Sequence, residues 1–273
     1  MDAESAPPGV DPTVPNAARM YDYFLGGKDH FQADRDLAEL VLSVLPETKV
    51  GTRENRKVIG RFVEYLVQQG VRQFLDLGSG LPAQQNVHEV ALRLAPETRV
   101  VYIDRDPVVC AHGRALLAEP ERVAMVQGDA ARPSEILSHP EVTKLLDFEQ
   151  PVAVLMMFIL HLVPDSDDPQ GFVAAYREAL APGSYLALSH VGSDAAPERV
   201  AQVSKLYGQA NAPFCPRTGT EIGRFFGDLE LVPPGLVTGD MEDVGWPFAD
   251  PETQPFVDRE MARMAYLGIA RKT

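Results

Sequence analysis

The sequence predicts an α/β fold, a doubly wound parallel sheet with helices on both faces, and three observations lead to it. From residue 71 onward, short apolar runs alternate with stretches of helical period. Val152 to Leu160 is apolar throughout, as a central parallel strand covered on both faces requires. The run Val71 to Leu77 contains Asp76 near its end and passes into Gly78-Ser79-Gly80, and Pro82 then opens a helical pattern. A strand, a tight turn and a helix start thus follow one another.

The residues before this turn read as helical. Ala17, Met20, Tyr21, Phe24 and Leu25 share one face of a first helix over Asn16 to Leu25, which Gly26-Gly27 stops. Leu37, Leu40, Val41, Val44 and Leu45 mark a second helix, about Ala33 to Leu45, ended by Pro46. Val58, Ile59, Phe62, Val63, Leu66 and Val67 mark a third, about Thr52 to Gln69. The stretch 1–14 carries no periodic apolar pattern and reads as a disordered tail.

Beyond residue 71, Arg99 to Asp104 and Val123 to Gln127 are the next two strands, the second followed by Gly128-Asp129. Helices carrying Val87, Val90, Ala91 and Leu94, and Val108, Val109, Ala111 and Ala115, lie before and between them. Asp168-Pro169 caps a helix with Phe172, Val173, Tyr176 and Leu180, and Tyr185 to Ser189 is a fifth strand. Leu229 to Val237 and Ala265 to Ala270 read as two more; Pro233-Pro234 confines the former to an edge or a bulge.

Composition narrows the partner class. The 273 residues are 45% hydrophobic and 23% charged, ordinary for a soluble globular chain. A formal net charge of -14, from 39 acidic and 25 basic residues, disfavours nucleic acid and anionic membrane surfaces. Small molecules are the expected partners. The first residues lack a signal-peptide pattern, and Cys110 and Cys215 are isolated thiols without metal-type spacing, so the expected compartment is the cytoplasm.

In an open parallel sheet, ligands sit at the carboxyl ends of the strands, near the point where strand order reverses. The residues falling there are Asp76, Gly78, Ser79 and Gly80, then Asp104 with Arg105, then Gly128, Asp129 and Ala130, and Met156 to His161, including Met157. Glycines permit close backbone approach, and three separate carboxylates offer three separate tasks. Asp104 suits a ribose diol, Asp129 an exocyclic amine such as that of adenine, and Asp76 an ammonium group. Together they describe a nucleoside joined to an amino acid. A dinucleotide is the competing ligand, since Gly78-Ser-Gly80-Leu-Pro-Ala83 fits G-x-G-x-x-A. Against it, Asp76 would repel a pyrophosphate and Asp129 would have no task.

The order Phe-Leu-Asp-Leu-Gly-Ser-Gly, Val-Val-Tyr-Ile-Asp, Gln-Gly-Asp-Ala resembles the successive motifs of class I S-adenosylmethionine-dependent methyltransferases. More narrowly, the block from Pro15 to Asp29, Glu54-Asn-Arg, Asn86-Val-His-Glu-Val-Ala and Pro182 to His190 resemble a bacterial S-adenosyl methyltransferase family formerly classed as a domain of unknown function. The resemblance implies a Rossmann-like seven-stranded, mostly parallel sheet with an antiparallel last strand. It also implies a helical cap, residues 15–70, ahead of a cofactor domain, residues 71–273. The implied cofactor is S-adenosyl-L-methionine, with Asp76, Gly78 and Gly80 around its methionine moiety, Asp104 at the ribose, and Asp129 with Ala130 at the adenine. Leu81-Pro82 departs from the Thr-Gly of many members of the wider superfamily, which bears on the course of the loop.

Methyl transfer depends chiefly on positioning, and a general base helps when the acceptor is a hydroxyl or a protonated amine. His161, after the fourth strand, is the catalytic candidate, ahead of His190; a histidine hydrogen-bonded inside the fold is the alternative reading. Tyr23 lies off the apolar face of its helix and is free to touch a ligand, and Arg56 can meet the methionine carboxylate. Tyr21 and Phe24 read as core, and Tyr207 and Trp246 either shape an acceptor pocket or simply pack. No metal is expected: Asp165 and Asp167 read as solvated loop and Asp168 as a helix cap. The function expected is methyl transfer to a small or medium organic acceptor. A protein that only binds S-adenosylmethionine or S-adenosylhomocysteine remains open as a second reading.

Overall fold

A computed structural model of the chain describes residue 6 and residues 10–273, except 84, 117–120, 210–212, 241–246 and 248–261. Trp246 and most of the expected N-terminal tail lie outside the described residues. Three helices come first: α1 (Ala17–Leu25), α2 (Gln32–Val44) and α3 (Thr48–Gln68). Asn16 caps α1 by accepting from the amides of Ala18 and Arg19 at 2.8 and 3.3 Å, and Gly26, at φ +85°, closes it. Helix α3 begins at Thr48 rather than about Thr52, because the Thr48 hydroxyl donates to the Leu45 carbonyl at 2.7 Å and Gly51 is carried inside the helix.

The sheet then alternates with helices. Strands β1 (Gln73–Leu77), β2 (Arg99–Asp104), β3 (Val123–Gln127), β4 (Ala153–Met157) and β5 (Tyr185–Val191) run parallel, and β8 (Ala265–Arg271) pairs antiparallel with β5. With β6 at Glu230–Leu231, the strand order is β3-β2-β1-β4-β5-β8-β6. The single strand expected over Leu229 to Val237 is two short ones, β6 (Glu230–Leu231) and β7 (Val237–Thr238), both antiparallel to β8. Pro233 and Pro234 lie between them and have no amide to give the ladder. Among the described residues, eight strands therefore fill the seven positions of the expected sheet, since β6 and β7 share an edge.

Alternation along the strands divides the core between two faces. Phe74, Val100 and Tyr102 point to a layer closed by α3 and by α4 (Val87–Leu94), through Phe62, Val63, Leu66, Val90 and Ala91. Leu75, Leu77, Val101 and Ile103 point to the opposite layer, closed by α8 (Pro169–Ala179) through Phe172, Val173 and Tyr176. A third cluster packs α1 and α2 onto α9 (Pro197–Gln209), with Met20, Phe24, Val41 and Leu45 against Val200, Val203, Tyr207 and Met264.

One ion-pair network ties these first helices to the sheet. Arg19 of α1 donates from Nε to Asp34 of α2 at 2.8 Å and from a terminal nitrogen to Asp106, after β2, at 3.2 Å; all three side chains are buried. A buried ion pair is weak evidence of net stability, whereas each buried leucine or valine side chain contributes about 1.5–3 kcal/mol. The third cluster holds the helices down, and Arg19 fixes where they sit.

Candidate active site

The chain passes from β1 outward to β2 and β3 and returns to β4 on the other side of β1, so strand order reverses between β1 and β4. A cavity of about 310 Å³ opens at that point, over the carboxyl ends of the strands and under α1, α2 and α3.

Its floor begins with the glycine turn after β1. Gly78 and Gly80 stand at φ +70° and +67°, where a side chain would be strained. The amides of Gly78 and Ser79 donate to the Ile103 carbonyl at 2.8 and 3.2 Å, which holds the turn against β2. A Cβ at Gly78 would lie 2.3 Å from Cγ2 of Ile159, so this glycine also lets the loop after β4 close in. At Gly80 a Cβ would meet nothing within 4 Å; the backbone there faces open space.

Asp104 completes the turn. One carboxylate oxygen accepts from the Gly80 amide and the other from the Asp106 amide, both at 2.9 Å. Each oxygen keeps a lone pair, so a vicinal diol can donate to both. Burial raises its pKa above the usual carboxylate value, against the two amides that lower it. The Asp76 side chain is also buried but has no hydrogen bond among the described residues, and its pKa is pushed up to about 7, by desolvation first, with the Arg56 charge opposing and Asp104 adding to the rise. Arg56 supplies the matching vacancy: its Nε is buried without a partner, while a terminal nitrogen donates to Asn86 at 3.4 Å. A carboxyl group and a guanidinium thus face the same cavity with unused hydrogen-bonding capacity.

Beyond β3, Asp129 accepts from the Ala131 amide at 2.9 Å through one oxygen, and the Ala130 carbonyl accepts from the Tyr176 hydroxyl at 3.0 Å. Gly128, Ala130, Met157 and the exposed Arg105 complete this end of the lining.

Tyr23, expected to touch the ligand, does not line the cavity. Its hydroxyl donates to Glu39, its ring packs edge-on to His30 at 5.1 Å, and Lys49 lies over it at 5.3 Å. The apolar face of α1 is the one turned to the cavity, so Tyr21 and Phe24 line it instead. The Tyr21 hydroxyl donates to the Thr52 carbonyl at 3.1 Å and accepts from Asn55 at 3.0 Å, and Asn55 in turn accepts from Ser189 of β5 at 2.8 Å. That chain of bonds joins α1, α3 and the end of β5.

His161 follows β4, lines the cavity and is buried. Neither ring nitrogen has a partner among the described residues, and Nδ1 is wholly enclosed. Desolvation, then His190 and the Arg217 charge, hold its pKa well below the ordinary histidine value, so the ring is neutral. Phe158, Phe214 and His190 stand edge-on around it at 5.4–5.5 Å. His190, by contrast, is fully occupied: Nδ1 bonds the Val191 carbonyl at 2.7 Å and Nε2 faces Arg217 at 3.2 Å, and burial lowers its pKa to about 3. It supports the site from behind.

The three nearby aspartates have other work. Asp165 pairs with Arg217 at 2.6 Å, Asp167 accepts from Ser166 at 3.1 Å, and Asp168 caps α8 by accepting from Gly171 at 3.0 Å. Cys110 is buried, its thiol 3.3 Å from the Asp104 carbonyl, and neither it nor Cys215 forms a disulfide.

Comparison with known proteins decides the family. The family model described as S-adenosyl methyltransferase matches residues 3–273. This chain belongs to that family. A proposed methyltransferase from Thermobifida fusca YX shares 41% identity and superposes with a TM-score of 0.88, over 98% of this chain and 99% of its own. A DUF574 family protein from Streptomyces avermitilis MA-4680 shares 39% identity at the same TM-score, over 96% and 99%. The complex of the Haloferax volcanii Trm112 methyltransferase activator with a proposed methyltransferase aligns at 15% identity and TM-score 0.52, over 85% and 97%, which shows the fold alone. No curated protein matches.

S-adenosylmethionine is therefore the cofactor of this methyltransferase, and the observed residues suit it: a free lone pair on each Asp104 oxygen, unused hydrogen-bonding capacity at Asp76 and Arg56, and open space at Gly80. All the other residues expected to bind the cofactor line one cavity with His161. Sequence reasoning missed the wall opposite: Val41, Leu45, Thr48, Thr52, Val203 and Phe214 of the methyltransferase. Their only signal was apolar period, which marks core and cavity wall alike.

Proposed function

We propose that this methyltransferase methylates a hydroxyl or amine of a small or medium organic acceptor, with His161 as general base. The observation that carries the reading is the buried, neutral and unpartnered imidazole at the β4 end of a cavity whose other end is lined by carboxylates. S-adenosylmethionine, when bound, supplies a methyl group on a sulfonium sulfur.

In this reading Asp104 receives the ribose hydroxyls on the lone pairs left by the Gly80 and Asp106 amides. Asp76 pairs with the amino-acid ammonium and Arg56 with its carboxylate, while Gly78, Ser79 and Gly80 keep side chains clear of the path. Asp129, through its second oxygen, and the Ala130 backbone face the adenine, with Arg105 at the rim and Met157 beneath. His161 takes the acceptor proton only as the reacting oxygen or nitrogen becomes acidic, because burial makes its imidazolium costly. We assign the covering role to α1, α2 and the first turns of α3, since the rest of α3 packs on the sheet face. The acidic balance of the chain supports a small-molecule acceptor over nucleic acid, and the free thiols fit the cytoplasm. Among the described residues no helix is long and apolar enough to cross a membrane.

The test is a screen of alcohols, phenols and amines with labelled S-adenosylmethionine, followed by His161→Ala on the best acceptor. Loss of transfer with S-adenosylhomocysteine binding intact supports the reading. Cofactor binding with no transfer to any acceptor would leave a binding protein.

A further inference from the structure

The cavity wall beneath α2 and α9 differs in kind from the floor over β1 to β3. Its surfaces are Phe24, Val41, Leu45, Val203, Tyr207 and Phe214. The rings of Tyr207 and Phe214 are stacked, 4.7 Å between centroids and 25° apart, and Phe214 in turn meets His161 edge-on at 5.5 Å.

Two counts define what this wall can hold. Among the described residues here, Glu47 at the rim carries the one formal charge, and it faces Arg199 at 3.4 Å. A charged acceptor would lose its hydration here and gain no counter-charge. Hydrogen-bonding capacity is nearly as scarce. The hydroxyls of Thr48 and Thr52 donate to backbone carbonyls at 2.7 Å, and that of Tyr21 is engaged on both sides. The Tyr207 hydroxyl and the His161 imidazole are the side-chain groups at this wall without a partner among the described residues. Burial keeps the tyrosine protonated and therefore a donor.

We infer that the acceptor is an uncharged, hydroxyl-bearing aromatic compound whose ring lies against Tyr207 and Phe214 and whose reacting hydroxyl meets His161. The inference rests on the proposed reading of this cavity and narrows its acceptor. Apolar rings supply the contact area, offset or edge-on to the ligand ring. Two isolated polar groups fix its orientation, as in small-molecule sites generally. The hydroxyl is the group His161 can receive in either role, as donor to a neutral imidazole or as acceptor from it.

The experiment is a fluorescence titration of the full chain, saturated with S-adenosylhomocysteine, using 2-naphthol, 2-naphthoate and cyclohexanol as probes. Prior saturation with S-adenosylhomocysteine, followed by calorimetry, tests the cofactor assignment separately, so its failure is distinct from failure of the acceptor class. The inference expects 2-naphthol to bind at least about tenfold more tightly than either other probe. Phe214→Ala should weaken 2-naphthol about tenfold, and Tyr207→Phe several-fold, with S-adenosylhomocysteine affinity and the melting temperature of Tyr207→Phe unchanged. Equal or tighter binding of 2-naphthoate, no binding of 2-naphthol to the S-adenosylhomocysteine complex, or indifference of 2-naphthol to both substitutions would overturn it.

Discussion

The two ends of the cavity are built from different materials. Over β1 to β3 the wall is backbone and carboxylate, with glycines at φ +70° and +67° and Asp76, Asp104 and Asp129 at successive strand ends. Over β4 and β5 it is rings and aliphatic side chains drawn from α1, α2 and α9 and from two loops, one after β4 carrying His161 and one after α9 carrying Phe214. The first end is set by strand geometry and offers charge; the second is set by helix packing and offers shape. A fold that reads one cofactor can change acceptors by changing the second end alone.

That contrast can be broken at either end, and the largest effect is expected where the ends meet. His161→Ala should lower kcat on the best acceptor by about 10²–10⁴-fold while leaving S-adenosylhomocysteine affinity unchanged, measured by turnover and calorimetry side by side. Equal loss of both would make His161 a structural residue of the cofactor end.

Next comes the clamp between the two regions. Arg19→Ala strands the buried carboxylates of Asp34 and Asp106, and thermal or denaturant unfolding should show a loss of about 3–5 kcal/mol. Arg19→Lys keeps the charge but not the fork and should recover part of it. Because Asp106 donates its amide to Asp104, cofactor affinity should fall as well.

Asp76 gives a pH signature confined to the polar end. Its folded pKa of about 7 lies above the ordinary aspartate value of 3.8, so between those values the folded chain holds a proton that the unfolded chain has lost. Stability therefore falls as pH rises across that interval, and Asp76→Asn should remove this slope and stabilise the free protein at about pH 8 by up to about 4 kcal/mol. Affinity for S-adenosylhomocysteine should move the other way, strengthening in the wild type as the carboxylate forms and losing this dependence in Asp76→Asn. A wild-type affinity that is flat from about pH 6 to about pH 8 would remove Asp76 from the ammonium contact.

The polar end was legible in the sequence because its determinants are local. A parallel strand buried on both faces must be apolar, so Phe74-Leu75 and Val100 to Ile103 stand out, and the Asp-x-Gly-x-Gly or Asp that follows falls at the strand end by necessity. The apolar end was not legible. Phe24, Val41, Val203 and Tyr207 look like any helix core, and only the packing of α2 on α9 reveals that the same face also bounds a cavity. Tyr23 failed for the same reason: a residue off the apolar face points to solvent and Glu39, not to the ligand. The short helices α7 (Pro140–Leu145) and α10 (Gly219–Gly223) and the split of β6 from β7 escaped because five or six residues carry too little period to read.

The most direct measurement is a calorimetric titration of S-adenosylhomocysteine into the wild type and Asp104→Ala, with circular dichroism to show that both are folded. The account predicts binding to the wild type and affinity about 10- to 100-fold weaker, or about 1–3 kcal/mol, in the variant, because one side chain serves both ribose hydroxyls. Unchanged affinity in a folded Asp104→Ala would contradict the placement of the cofactor over β1 to β3, and with it the division of the cavity into two ends.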